Sequence, residues 1–333
     1  MKATRILLAL CLMLAILVSN SGPMASAALP GRNGPIVFAR EVLESPGSDP
    51  SFNIFRARRN GSNASQLTSN VLSDEDPAWS PNGNRVIFER ETDTFLGGYD
   101  VYVMNEQGGE EEFIVEGYAG GADPAWSPDG TSIVFINVDG EVATLDLRNP
   151  NAEPMVVAEF PHEDSLDEWW AADPSWSPDG RRIAFTAEED QSSYLEIVNK
   201  NGRNRRRLEV ALFLQGLDWS PSGNRLALVM HGPLTRRWAD SDTGSEIYTI
   251  NPDAPHPKKS VRRITKSSRD EVGIYDPVWS PDGKKLIFSR SQGSDDEHEL
   301  VKVNAAFWKR PQPRVLTNNS VDDIDPDWRA RNN

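Results

Sequence analysis

Cysteine is all but missing from these 333 residues. Its single copy, Cys11, lies in a leading apolar run, so the chain beyond that run has no disulfide. A domain outside the cytoplasm without disulfides must rest on a large core. Histidine is scarce too: the four copies, His162, His231, His256 and His298, read as solvated residues of unrelated loops. That distribution argues against a metal centre built from several imidazoles. No Gly-x-Ser-x-Gly nucleophile elbow and no Gly-rich phosphate loop occurs. His162-Glu163 leads to Leu166 where a zinc-protease helix needs its second histidine. Positive charge is in deficit, with 35 Lys and Arg against 50 Asp and Glu and a net charge of −15. A nucleic-acid binder would want the opposite sign.

Long hydrophobic runs are also lacking, apart from residues 6–18, and 13 residues fall short of the ~20 that span a bilayer. Lys2 and Arg5 precede that run, and Ala25-Ser26-Ala27 follows it with the small-x-small pattern of a cleavage site. Residues 1–27 therefore read as a signal peptide and 28–33 as a short N-terminal segment. The expectation is an exported monomer, periplasmic or secreted, with no stable membrane insertion of the mature chain.

What is present is a repeat. Asp76-Pro-Ala-Trp-Ser-Pro-Asn-Gly83 recurs at Asp123–Gly130, Asp173–Gly180 and Asp276–Gly283, and in weaker form at Gly216–Gly223. A sixth copy starts at Asp325-Pro-Asp-Trp328 and breaks off. Trp79, Trp126, Trp176, Trp219, Trp279 and Trp328 are spaced by 47, 50, 43, 60 and 49 residues, a period suited to four-stranded propeller blades. In Ser-Pro-Asp-Gly, Pro presets the first corner, Asp or Asn tolerates the second and Gly takes the left-handed position. β-Branched and aromatic runs such as Arg85-Val-Ile-Phe-Glu follow each complete turn and predict buried strands. The N-terminal part supplies what the sixth copy lacks: Arg32–Arg40 resembles a second strand, Asn53–Ala57 a third and Ser65–Thr68 a fourth. The sequence predicts an all-β, six-bladed β-propeller of four-stranded blades over residues 34–329. N-terminal strands pair with the C-terminal strand to close it, which protects strand edges, and 330–333 form a tail.

These copies resemble the WD40-like (PD40) repeats of the TolB-like propeller family, over roughly residues 33–329. Similar repeats occur in the propellers of tricorn-type and prolyl-oligopeptidase-type enzymes. The founding member of the family carries an α/β domain ahead of its propeller, and the peptidases carry a hydrolase domain. Here the repeats fill nearly the whole predicted mature chain.

The Asp before each Pro-x-Trp, at Asp76, Asp123, Asp173, Asp276 and Asp325, would sit near one mouth of the central channel. One reading has these carboxylates accept backbone N–H groups and pin the inner strands. The other makes them a ring that attracts a cation or a basic peptide. Asp323-x-Asp325-x-Asp327 has the opening spacing of a calcium loop, but Trp328 stands where that loop needs Gly, so it reads as strand. The loops predicted on the ring's face hold 32 acidic and five basic residues, whereas the opposite face gathers Arg56, Arg58, Arg59, Lys284 and Lys285 among others. One-sign surfaces steer partners of opposite charge. The longest acidic loop, 159–173, adds Phe160, His162, Trp169 and Trp170 as a candidate aromatic surface. The resulting expectation is a non-catalytic interaction scaffold that takes a protein or peptide segment, basic or extended, on the acidic face, with no cofactor and no nucleic acid. The alternatives are a calcium-type propeller lyase or lactonase, and a carbohydrate binder using Trp169, Trp170 and Tyr275.

Overall fold

The computed structural model describes residues 30–43, 50–93, 98–118, 121–160, 170–189, 192–208, 210, 213–231, 245–266, 273–291, 297–305 and 313–331. The predicted signal peptide and the loop residues His162 and Trp169 lie outside this set. The strands form six four-stranded sheets, each antiparallel throughout. Blade 1 is Asp74–Trp79, Arg85–Glu91, Tyr99–Asn105 and Glu112–Glu116, from the inner strand outward. Blades 2 to 5 repeat that order, their inner strands ending at Trp126, Trp176, Trp219 and Trp279. The closing blade pairs the C-terminal strand Asp323–Arg331 with Arg32–Val42, then Ser51–Ala57 and Ser65–Gln66. Its pairing runs out to Arg32 opposite Arg331, slightly past the 34–329 span. Among the described residues no helix is long and apolar enough to cross a membrane.

The core lies between neighbouring blades. Phe38, Phe88, Phe135, Phe185 and Phe288 occupy one position on successive second strands and are essentially inaccessible, with Leu228 in blade 4. Each repeat tryptophan packs against the preceding blade, Trp126 with Ile87 and Val101 and Trp219 with Ala184 and Leu195, and Trp126 and Trp328 donate their indole N–H groups to the carbonyls of Ala78 and Gly34.

The Ser-Pro-Asp-Gly turns form as the sequence demands. Gly130 has φ +67°, its N–H donates to the Ser127 carbonyl at 2.9 Å, and Asp129 accepts from the Ser127 hydroxyl at 2.7 Å. A Cβ at Gly130 would meet Pro81 Cγ of the preceding blade at 3.2 Å, so turns stack around the ring through Gly on Pro. The closing blade has no such turn. Arg329 takes the place of the proline under Gly83, donates to Glu106 at 2.7 Å and covers the Trp79 ring at 5.2 Å.

Candidate functional site

Antiparallel order places the starts of all inner strands on one face, at one mouth of the channel. Asp76, Asp123, Asp173, Asp276 and Asp325 converge there, each with φ between +44° and +53°, and Gly216 joins them at +53°. Asp is among the few side chains that tolerate this left-handed geometry, which explains why blade 4 replaces it with Gly. The ladder slips at this point in most blades, for instance between Glu75 and Ala78 and between Tyr275 and Val278. The bulge frees the Asp to face the lumen.

The pinning predicted for these carboxylates occurs between blades. Asp123 accepts the Asp173 N–H at 2.9 Å, and Asp173 accepts the Gly216 N–H at 2.8 Å. Thr186 Oγ1 and Ser289 Oγ, on second strands, donate to Asp173 and Asp276 at 3.1 and 3.3 Å. Three of the ring residues thus hold the fold and also carry charge into the lumen. The spacing 323/325/327 makes no calcium loop. Asp323 pairs with Arg40, Asp325 stands in the ring, and Asp327 accepts the Trp79 N–H at 2.6 Å.

Blade 1 adds acids that the repeat pattern did not reveal. Glu89 follows Phe88 on a second strand, where the other blades carry Ala39, Ile136, Thr186, Val229 and Ser289. It is buried, lies across the ladder from Glu75, and accepts the N–H groups of Ala122 and Asp123 at 2.5 and 3.0 Å. A carboxylate directly after the strand's phenylalanine, where the other blades are apolar or hydroxylic, was the signal available in the sequence. Carboxylate oxygens of Asp76, Glu89 and Asp123 come within 4.8 Å of one another.

Burial, and after it the neighbouring charges, shows in the proton affinities. Burial pushes Glu89 up to about 8, with Asp123 adding repulsion against its two backbone hydrogen bonds. Burial raises Asp173 to about 8, aided by Asp123 and Asp276. Glu75 rises to about 7 through burial. Asp76 and Asp325 are held well above the ordinary carboxylate range by burial, then by each other or by Asp276. Deeper in the channel, burial lifts Asp218 to about 8 and Asp327 to about 6. Near neutral pH the mouth therefore holds protons that a cation can displace, because a positive charge favours the ionised form.

The aromatic candidates fare differently. Phe160 is buried rather than exposed: it meets Phe185 edge-on at 6.2 Å and lies under the Arg205 guanidinium. Trp170 opens the inner strand of blade 3, opposite Glu188. Tyr275 is half-buried, one residue before Asp276, with its ring edge against His298 at 5.4 Å. His298 corrects a sequence expectation, since it starts the strand His298–Asn304 and contacts Asp322 at 3.3 Å instead of occupying a solvated loop. Ring pairing with Tyr275 and the nearby carboxylate account for its place there.

The model of the TolB beta propeller domain matches residues 39–223. TolB from Acinetobacter baumannii is similar in structure, with a TM-score of 0.66 and 20% identity over 90% of this chain and 67% of that one. A putative TolB from Agrobacterium tumefaciens gives 0.59 and 18%, over 86% of this chain and 89% of that one. An oligogalacturonate lyase in complex with manganese gives 0.51 and 14%, over 86% and 74%. At these identities the structural likeness is one of fold. Among curated proteins none matches the sequence.

Proposed function

The chain belongs to the TolB β-propeller domain family, and on that premise we propose that it is a binding platform for a positively charged partner, a basic segment of another protein, received at the acidic channel mouth. One observation carries this reading: the fold gathers Glu75, Asp76, Glu89, Asp123, Asp173, Asp276 and Asp325 at one opening, where burial first, and in all but Asp276 the neighbouring carboxylates as well, raises their proton affinity. Such a cluster repels itself in the free protein, and a cationic side chain relieves the repulsion. An extended segment suits the ring of inner-strand starts better than a globular surface does. In an exported protein, as the leader suggests, the platform would act outside the cytoplasm.

A second reading is favoured by the Asp76, Glu89 and Asp123 oxygens. Hard divalent cations take carboxylate oxygens, and this set fits one at an oxygen separation of at most 4.8 Å. Bound there, the ion would supply Lewis acidity to a substrate entering the mouth, as in a metal-dependent propeller enzyme.

The readings part in one experiment. Titration calorimetry with a Lys- and Arg-rich peptide, with calcium and with manganese is compared for the parent protein and for D76N/E89Q/D123N. The platform reading expects peptide binding that strengthens as pH rises from 5 to 8 and is lost in the triple variant. Peptide affinity indifferent to these substitutions would sink it. Metal-dependent cleavage of an acidic polysaccharide, lost in the same variant, would favour the enzyme.

A further inference from the structure

The opposite face carries cations, and many are neutralised. Arg205 and Arg207 pair with the buried Glu196, and Arg182 and Arg206 share Asp253. Around the closing blade the pattern changes. Arg32 lies directly across the ladder from Arg331, and Lys302 directly across from Arg314. Like charges facing each other on paired strands are destabilising. No salt bridge joins these four to a carboxylate among the described residues.

Arg32, Lys302 and Arg314 line one concavity of about 590 Å³ together with Arg59 and Lys285. It continues through Asn33, Arg59 and Asn60 into a second of about 720 Å³, which Arg331 lines. Asp282 is the one carboxylate on the first wall and is engaged by the Ser280 hydroxyl at 2.7 Å and the Lys284 N–H at 3.1 Å. Lys302 is half-buried: its ammonium sits over the Trp328 ring at 5.6 Å and donates to the Arg59 carbonyl at 3.1 Å. Burial, then Arg314, Lys285 and Arg59, depress its pKa to about 8. Solvated surface cations seldom show this combination, since they spread apart and keep their protons.

We propose that this groove is a binding site for a phosphate-bearing anion of small-molecule size. Arginine forks match phosphate oxygens two at a time, and a multiply charged anion converts both repulsive cross-strand pairs into attractive triads. The two concavities together exceed a single phosphate, so the ligand carries more than one phosphate or a phosphate on an organic body. A free organic polyphosphate and the headgroup of an anionic lipid offer the same chemistry.

Titration calorimetry of the whole chain with inorganic tripolyphosphate tests the site, alongside co-sedimentation with phosphatidylglycerol vesicles and with phosphatidylcholine vesicles as control. Tripolyphosphate is expected to bind one site, weaken steeply with added salt, and lose about tenfold or more in affinity in K302M/R314Q. R203Q, on the same face outside the groove, is expected to leave affinity unchanged. Saturation should also raise the pKa of Lys302, read by NMR of its side chain, a change that a structural lysine would not show. Binding to phosphatidylglycerol alone, lost in K302M/R314Q, assigns the phosphate to a lipid headgroup. No binding to either probe, or binding that K302M/R314Q leaves intact, overturns the proposal. Methionine preserves the packing on Trp328, and a thermal melt at or above the parent's confirms that K302M/R314Q is folded.

Discussion

The acidic mouth and the cationic groove are opposite in sign and alike in physics. In each, the fold holds like charges closer than they would choose, and the titratable members respond. Carboxyls at the mouth keep protons to about 6–8, whereas Lys302 in the groove gives one up near 8. They differ in origin. The mouth's five aspartates occupy one repeated position, where the inner strand bulges into left-handed geometry. The groove exists where the repeat is broken. The inner strand of the other blades stops at its tryptophan and turns, but the closing blade runs on through Arg329 to Arg331 and pairs with a first strand that starts at Arg32. A repeat thus spreads charge around an axis, and its seam concentrates charge at one place.

The largest expected effect tests whether the seam is mechanically special. Asp323 is inaccessible and clamps Arg40 at 2.5 and 2.8 Å, and Asp74 does the same for Arg90 in blade 1 at 2.6 and 3.0 Å. Removing either carboxylate leaves an arginine short of its partner, at a cost of about 3–5 kcal/mol. D323A should fall at the upper end, because its strand joins the blade by pairing alone, with no hairpin turn, and because Arg90 keeps Glu111 at 2.9 Å when Asp74 is removed. Urea unfolding that found D74A more costly than D323A would mean that the seam is as rigid as any blade.

The second effect concerns the mouth. Its carboxyls bind protons more tightly folded than unfolded, where Asp and Glu titrate near 4. Between pH ~4 and ~8 the folded state therefore retains protons that the unfolded state has released, and stability falls as pH rises. Each retained proton contributes a slope of about 1.4 kcal/mol per pH unit. Thermal melts from pH 5 to pH 8 should decline, and D76N/E89Q should flatten the decline. A rise over that interval in the parent protein would mean that the carboxylates are compensated by cations.

These two effects also mark what could be read in the sequence. Blade number, ring closure, turn chemistry and the aspartate ring were all legible, because each rests on residues that recur at a fixed period: Pro, Trp, Gly and Asp. Glu89 escaped because it breaks the period, standing alone where other blades are apolar or hydroxylic. The burial of Phe160 escaped because a loop's length gives no indication of which of its aromatics turns back under Arg205. His298 looked like a loop residue because the acids before it, Asp295 to Glu297, mask the start of its strand. The groove was half visible: Arg59 and Lys285 were placed on its face, but only pairing register brings in Arg32 against Arg331 and Lys302 against Arg314.

The smallest effect separates groove from mouth on one pH axis. The folded-state pKa of Lys302, about 8, lies below its ordinary 10.5. Between those values the unfolded state binds the extra proton, so stability rises with pH, opposite to the trend at the mouth. Lys302 is half-exposed, and solvent screening limits the gain to about 1 kcal/mol or less. The parent's melting temperature should thus fall toward pH 8 and then recover slightly, before other groups titrate. K302M should abolish the recovery while leaving the fall intact, and D76N/E89Q should do the reverse. If one variant altered both limbs, the two clusters would be coupled through the blades. Independent limbs would mean that each face tunes its own charge, the mouth through the repeat and the groove through the interruption that closes the ring.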